Sequence, residues 1–555
     1  MISGTDLKNA LISGANNILK NKTAVDDLNI FPVPDGDTGT NMSMTMGSAA
    51  AELLKSSSDS VAEISKIAAD ALLRGARGNS GVILSLLFRG FSKGLAGLEA
   101  AGGADLVNAL GIGVEAAYKA VMKPTEGTIL TVSRIACEKG RAAVQESVDD
   151  LVAVWSAVCQ GAEETLRQTP ELLPVLKRAG VVDAGGKGLC LIFDGMMSVF
   201  RDGVIIANDS APAGDKSLES DFFRNAAAEF DQEIHFTYCT EFIVGRNPEC
   251  EKDPQDLRAF LETMGDCVLV VDDEEIIKVH VHTENPGNAL EAGLAFGQLL
   301  TVKIENMKEQ HRKAAESEAA KEKPSPLAPA DPIEEIGFVA VAAGSGLKTL
   351  FTDLGCSHVV SGGQTMNPST EDLLAAVMAT PAKTVIVLPN NKNIILAAEQ
   401  TIPLVKDRKV IVLPTRTIPQ GLSALLAYNP DISTEANTVS MMEAASGVTT
   451  GLVTFAARDS EFGGKKIREG DILGLVNGKL ELIERDRDIV HTCTKLARSV
   501  ATRGTSFITL IYGEGVTEDM ANEALARIKA KVGSDIEITL VNGGQPVYYF
   551  IISAE

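Results

Sequence analysis

The chain has 555 residues, and its 51 Lys and Arg against 74 Asp and Glu leave a formal net charge of −23. That length exceeds what one hydrophobic core organises and predicts roughly two to four domains, while so acidic a balance disfavours a nucleic-acid or anionic-membrane partner. No continuous apolar run is long enough to span a bilayer, Asp6 and Lys8 break the N-terminus where a signal core would lie, and eight cysteines show no paired spacing, so the expectation is a cytoplasmic protein with no transmembrane segment and buried free thiols.

Residues 1–205 read as helices joined by Gly-rich loops. Leu7, Ala10, Leu11, Gly14 and Ile18 follow helical spacing, as do small and apolar residues from Ile64 to Leu73. Between these stretches lies Leu28-Asn29-Ile30-Phe31-Pro32-Val33-Pro34-Asp35-Gly36-Asp37-Thr38-Gly39-Thr40-Asn41-Met42. Asp35 and Asp37, two apart in an extended stretch or tight turn, can aim both carboxylates at one hard cation, and Mg²⁺ takes one or two carboxylates and completes its shell with water and phosphate oxygens. Gly36 lets the backbone bend between them, and Gly39 lets a phosphate approach the main chain. Thr38, Thr40 and Asn41 stand where the next helix begins, whose free N–H groups favour an anion. An isolated Asp-Gly-Asp is more often a surface turn; the surrounding run is what raises its interest.

Three later loops have a related composition: Arg74-Gly75-Ala76-Arg77-Gly78-Asn79-Ser80-Gly81 before the apolar run Val82 to Phe88, then Pro124-Thr125-Glu126-Gly127-Thr128-Ile129-Leu130, then Val182-Asp183-Ala184-Gly185-Gly186-Lys187-Gly188. Arg74 and Arg77 are either cations for a transferring phosphoryl group or solvated helix ends. No Walker loop, kinase catalytic loop or Rossmann fingerprint accompanies them, and Gly344-Ser345-Gly346 reads as an ordinary strand-to-helix turn.

The Ala/Pro/Gly/Ser/Asp-rich stretch 208–220 reads as a linker. Residues 221–311 predict a small α/β domain: strands over His235 to Val244, Val268 to Val271 and Ile276 to His282, with helices over Leu257 to Met264 and Ala289 to Leu300. His280 and His282, two apart on a strand, project from one face and can share a tetrahedral ion, with Cys239 as a thiolate ligand and His311 as a fourth. The plain alternative is two imidazoles on a half-solvated face; His235 lies too far along the strand to join.

Residues 312–335, mixing Ala, Glu and Lys with prolines, form a linker. Beyond it, over 336–555, strands Ile336 to Ala342, Thr384 to Leu388 and Lys409 to Leu413 alternate with helical stretches and predict a parallel α/β layer. Strands Phe507 to Tyr512, Ile536 to Val541 and Val547 to Ile552, with a helix from Glu518 to Lys531, predict a second α/β lobe.

The run from Phe31 to Met42, followed in order by the three later loops, resembles the nucleotide-binding L subunit of dihydroxyacetone kinases and more closely the bacterial fatty acid kinase A family. That resemblance covers nearly the whole chain. It implies a multidomain protein: an all-α helical barrel, a small α/β middle domain, and a two-lobed α/β C-terminal domain of the DegV type that docks a partner. In the L-subunit family three aspartates hold two Mg²⁺ ions on the nucleotide phosphates; two match Asp35 and Asp37, and the third position matches Asn29, with Asp27 as the substitute. The resemblance further implies nucleotide contacts from Thr38, Gly39, Thr40, Asn41, Gly78, Asn79, Ser80, Gly81, Thr128, Asp183 and Gly185. It implies a structural Zn²⁺ at Cys239, His280, His282 and His311. The implied activity is ATP-dependent phosphorylation of a fatty acid carboxylate, presented by a separate fatty-acid-binding DegV-type protein, to give an acyl phosphate for lipid and phospholipid synthesis, in a homodimer. The alternatives are a dihydroxyacetone-type small-molecule kinase and a nucleotide-sensing scaffold without turnover.

Overall fold

The computed structural model describes residues 1–29, 36–121, 123–146, 150–207, 236–247, 250, 252–272, 276–306, 327–363, 366–462, 465–486, 488–502, 504–533 and 535–555. They fall into two compact units, one joining residues 1–208 to 327–555 and the other lying within 209–326.

In the first unit, α1 (Gly4–Lys20), α2 (Lys22–Asp26), α3 (Thr38–Lys55), α4 (Val61–Gly75), α5 (Gly78–Gly94), α6 (Gly103–Ala120), α7 (Ile129–Glu146), α8 (Leu151–Leu172), α9 (Pro174–Ala179) and α10 (Ala184–Asp202) follow one another. Packing runs α1 on α3, α3 on α4, and so on through α8 on α10 and α10 back on α1. The ring therefore closes, and the helical barrel implied by the family resemblance is present. Small residues permit the tightest crossings: a Cβ on Gly90 of α5 would stand 2.5 Å from the Gly113 Cα of α6, and one on Gly195 of α10 would stand 2.6 Å from the Gly14 Cα of α1. Apolar faces at helical spacing, among them Leu7, Leu11 and Ile18, fill the interior.

The C-terminal part of this unit has two lobes. A parallel sheet is built from β5 (Glu334–Ala342), β6 (Cys356–Ser361), β7 (Ala382–Leu388) and β8 (Lys409–Val412) in the order β6-β5-β7-β8. Its central strands β5 and β7 carry apolar residues on both faces, as a doubly covered parallel sheet requires. Val339 and Val341 of β5 face one way, into the same hydrophobic cluster as the helical barrel, together with Leu373 and Val377 of α14 (Thr370–Ala379) and Ala397 and Ala398 of α15 (Ile395–Glu399). Phe338 and Ala340 face the other way, into a second cluster. One core thus runs from barrel to sheet. The other lobe is a six-stranded sheet of β9 (Thr449–Phe455), β12 (Ile472–Val476), β13 (Lys479–Glu484), β14 (Phe507–Tyr512), β15 (Glu537–Asn542) and β16 (Phe550–Ala554), in the order β13-β12-β9-β16-β14-β15, with β14 and β15 the parallel pair. The Gly344–Gly346 turn is a close backbone contact: a Cβ on Gly344 would meet the Gly543 carbonyl oxygen at 2.4 Å.

In the second unit, β1 (Tyr238–Arg246), β2 (Gly265–Asp272), β3 (Ile276–Thr283) and β4 (Gly297–Asn306) form an antiparallel sheet in the order β2-β3-β1-β4. Helices α11 (Pro254–Glu262) and α12 (Pro286–Leu294) bring Leu257, Leu261 and Ala289 onto Phe242, Val244, Ile277, Val279 and Val281. The helix expected over Ala289 to Leu300 is corrected: it stops at Leu294, and Leu299-Leu300-Thr301-Val302 belongs to β4. Leu300, Val302 and Ile304 are exposed on alternate positions, a strand period that a helical reading of the Leu-rich run overlooks. The segment 208–220, most of 312–335, His235 and His311 lie outside the described residues.

No helix among the described residues is long and apolar enough to cross a membrane.

Candidate nucleotide and metal sites

Four helices of the barrel, α3, α5, α7 and α10, begin around one cavity of about 420 Å³. Asn29, Asp37, Thr38 and Asn41 line it at the start of α3, Asn79 and Ser80 at α5, Thr125, Thr128 and Ile129 at α7, and Asp183 and Gly185 at α10. The backbone N–H groups of a helix's first turn lack intrahelical partners and carry the positive end of its dipole, so these ends favour anions, and Asp26 at α3 and Asp183 at α10 already occupy part of that capacity.

The residues named from the sequence are placed as follows. Asn29, Asp37, Thr38, Asn41, Asn79, Ser80, Thr128, Asp183 and Gly185 line the cavity. Asp35 lies outside the described residues. Gly39 and Thr40 are engaged elsewhere: the Asp26 carboxylate accepts from the Gly39 N–H at 2.7 Å, the Thr40 N–H at 3.1 Å and the Thr40 hydroxyl at 2.8 Å. Those two amides are therefore held by an internal anion. Asp26, adjacent to the substitute ligand Asp27, is the helix-start carboxylate that sequence reasoning passed over; a carboxylate a loop away from Thr-Gly-Thr was its only signal. Asp27 faces Arg458 at 3.5 Å instead. Asn29, whose Oδ1 accepts from the Thr38 hydroxyl at 2.8 Å, is the one that reaches the cavity.

Gly78 adopts φ +58°, and a Cβ there would crowd the Asn41 amide at 2.6 Å. Gly81 packs similarly on Thr45, whose Oγ1 would stand 2.4 Å from its Cβ. Both glycines thus seat α5 against α3. The Asn79 Oδ1 is buried and makes no hydrogen bond among the described residues, an open acceptor at the cavity wall. Asp183 caps α10 by accepting from the Gly186 N–H at 2.7 Å. Burial among cavity walls pushes its carboxyl up to about 6.

The cavity is completed by the C-terminal part. Lys392 and Asn393 line it. Asn367 donates through Nδ2 to Asp37 Oδ2 at 2.5 Å, and its own carbonyl accepts from Arg77 Nη1 at 2.7 Å. Arg458 donates to the Asp26 and Asn29 carbonyls at 3.2 and 2.5 Å. Arg77 is therefore a cation joining two parts of the chain, and it stands 3.7 Å from Asp372. Periodicity carries no signal for contacts between segments so far apart in sequence.

With Asp37 and Asn29 offering hard oxygen donors beside four helix starts, the donor chemistry fits Mg²⁺ with a phosphate chain. Asp37 and Asn29 would hold the metal, and the metal would neutralise phosphate charge.

In the second unit, the sheet register explains the other cluster. On β3, Ile277, Val279 and Val281 face the helices, which turns His280 and His282 to the opposite face. Cys239 of β1 and Asp266 of β2 are both register partners of His282. The His280 and His282 Nε2 atoms are 3.2 Å apart, Cys239 Sγ lies 4.0 Å from His280 Nδ1, and one ligand atom from each of the three residues falls within a 4.8 Å group. Asp266 Oδ1 stands 3.4 Å from His282 Nδ1. A thiolate and two imidazoles are a soft, tetrahedral-type donor set, and a carboxylate behind one imidazole fixes the tautomer that leaves Nε2 free to ligate. The donor chemistry of this group fits Zn²⁺, which Cys239, His280 and His282 would hold.

Three family models match the chain: the DAK2 domain over residues 32–198, the FakA-like (fatty acid kinase) middle domain over 235–314, and the FakA-like C-terminal domain over 337–555. The protein YloV of Bacillus subtilis (strain 168) is 42% identical over 556 residues, covering 100% of this chain and 99% of that protein. The protein SH1689 of Staphylococcus haemolyticus is 40% identical over 560 residues, with 100% and 99% covered. Among solved structures, the DegV family protein Cg2579 from Corynebacterium glutamicum matches 40% of this chain and 97% of its own at 12% identity and TM-score 0.31. The dihydroxyacetone kinase from C. freundii in complex with AMP-PNP and Mg²⁺ matches 35% of this chain and 33% of its own at 20% identity and TM-score 0.28. Matched from the helical barrel to the last strand by these family models, and along its full length by its relatives, the chain belongs to the FakA-like family, a family of fatty acid kinases.

Proposed function

We propose that this protein is an ATP- and Mg²⁺-dependent kinase that phosphorylates the carboxylate of a fatty acid, presented by a separate DegV-type fatty-acid-binding protein, to give an acyl phosphate. The observation that carries the reading is the convergence of four helix N-termini, Asp37 and Asn29 on one cavity, in a chain of this family.

The chemistry asks little of the protein as a base. A fatty carboxylate is already ionised at neutral pH. Its oxygen attacks the terminal phosphorus of ATP, the bond from that phosphorus to the bridging oxygen breaks, and ADP leaves with the electron pair. Positioning and charge neutralisation supply the rate. Asp37 and Asn29 would hold the cation, which would neutralise phosphate charge, and helix-start amides that Asp26 and Asp183 do not already hold would receive phosphate oxygens. Asn79 Oδ1, a buried acceptor without a partner among the described residues, is suited to a donor on the nucleotide or to a metal-bound water.

The structural role we assign to Zn²⁺ is to tie β1 to β3 in the middle domain. Among the described residues that cluster offers no general base distinct from its ligands and Asp266.

The test is ATP consumption by the purified protein with Mg²⁺ and oleate, with and without a DegV-type partner, trapping acyl phosphate as hydroxamate. Partner-dependent hydroxamate that disappears in Asp37→Ala and Asp35→Ala supports the kinase. ATP binding with no hydroxamate across several lipid-loaded partners overturns it in favour of a nucleotide-sensing scaffold, and phosphorylation of dihydroxyacetone without added protein favours a small-molecule kinase.

A further inference from the structure

We infer that Lys392, carried by the C-terminal part of the chain, is a phosphate-contacting residue of the nucleotide cavity in the helical barrel, so that the site is incomplete without the C-terminal lobe. The inference rests on the nucleotide reading of that cavity and adds a residue from outside the barrel.

Lys392 follows the last residue of β7 by four positions, in the turn Pro389-Asn390-Asn391-Lys392-Asn393. That turn is a built platform. Asn390 is 6% exposed and holds φ +55°, a left-handed conformation that Asn tolerates better than most residues. Its Nδ2 donates to the Val341 carbonyl at 3.0 Å, its N–H to Thr415 Oγ1 at 3.1 Å, and its Oδ1 accepts from the Thr415 hydroxyl at 2.8 Å. Asn391 donates to the Gly363 carbonyl and accepts from the Asn393 N–H at 2.9 Å. Ile394, immediately after, is fully buried in the core shared with the barrel, and α15 behind it packs on α5, the helix that begins with Asn79 and Ser80.

Between those anchored neighbours Lys392 alone is exposed, and it lines the cavity with Asn393. Among the described residues no ion-pair partner of its ammonium is found, in a chain of net charge −23. The cavity's other lining cation is Lys123, on the barrel side. Its lining acids are Asp37 and Asp183, and Asp37 is already met by Asn367. A triphosphate entering here brings more negative charge than the barrel's lysine balances, and an ammonium carried on a fixed backbone turn provides a point charge for it.

The experiment measures dissociation constants of ATP and of adenosine, with Mg²⁺, for the full-length wild type, Lys392→Met and Lys392→Arg, by displacement of a fluorescent nucleotide. Melting curves check that a substitution at this exposed position leaves the fold intact. The expected result is ATP weakened roughly tenfold or more in Lys392→Met, adenosine unchanged within about twofold, and ATP binding largely kept in Lys392→Arg. ATP unchanged in Lys392→Met, or ATP and adenosine weakened equally, overturns the inference while the nucleotide reading stands. A wild type that binds neither ligand overturns both.

Discussion

The Asn367 side-chain amide donates to the Asp37 carboxylate at 2.5 Å across a separation of 330 positions, joining the C-terminal lobe to the proposed metal ligand. Asn367 is 2% exposed, and its carbonyl is held by Arg77, so the amide is delivered from a fixed base. Removing it in Asn367→Ala takes a charge-assisted hydrogen bond from a carboxylate that cavity water can partly rescue. The expected cost is about 1–2 kcal/mol, read by chemical denaturation. In a double-mutant cycle with Asp37→Ala, a coupling near zero would show that the contact contributes nothing to the union of barrel and lobe.

Asp183 gives the barrel a pH dependence. Its folded carboxyl is raised to about 6 from an ordinary value of 3.8, mainly by burial, so between those two values the folded state holds a proton that the unfolded chain has released. Stability contributed by this group is therefore present below about pH 4 and lost as pH rises through about 6. Because the carboxylate opens on the cavity, solvent there reduces the effect to on the order of 1–2 kcal/mol. Asp183→Asn should flatten the fall in melting temperature over that window while keeping the cap on the Gly186 N–H. An unchanged pH profile in this variant would remove Asp183 as its cause.

Arg408 is expected to be among the most costly side chains to remove from the C-terminal lobe. It is 8% exposed, and its guanidinium donates to the carbonyls of Val377, Met378 and Thr380 at the end of α14 and to that of Ala330. Arg408→Ala empties a buried guanidinium site and takes the donor from the Ala330 carbonyl, while the Val377, Met378 and Thr380 carbonyls keep backbone donors, a loss of roughly 2–3 kcal/mol. Arg408→Lys should recover only part of it, since one ammonium cannot span acceptors that a planar fork reaches. Equal stability of the three proteins in a urea titration would contradict the role.

The middle-domain cluster makes a compositional prediction. Purified protein should carry about one Zn²⁺ per chain, and Cys239→Ser or His282→Ala should lose most of it. Asp266→Asn should retain the ligands but weaken zinc by roughly tenfold to a hundredfold, because the imidazole tautomer is no longer fixed. Metal analysis finding no zinc in the wild type would remove the ion from the account.

Much of the architecture was legible because it is written in local periodicity. Leu7, Leu11 and Ile18 at helical spacing, Val339 and Val341 in a continuous apolar strand, and the period-two placing of His280 with His282 each follow from a segment's own pattern. Local pattern also has its limits: the Leu-rich run at 299–302 fits a helix or a strand, and only pairing with β1 made it β4.

Sequence by itself determined the family, the order of the helix-start loops and the residue types able to hold a cation, since these depend on motifs a few residues long. Only the tertiary structure decided how the neighbouring polar side chains divide their roles, with Asp26 capping α3, Asp27 facing Arg458 and Asn29 reaching the cavity. It alone brought Asn367, Lys392 and Arg458 to the barrel. The physical reason is that such contacts arise from burying the shared apolar core of barrel and parallel sheet, a long-range packing choice that no short window of sequence encodes.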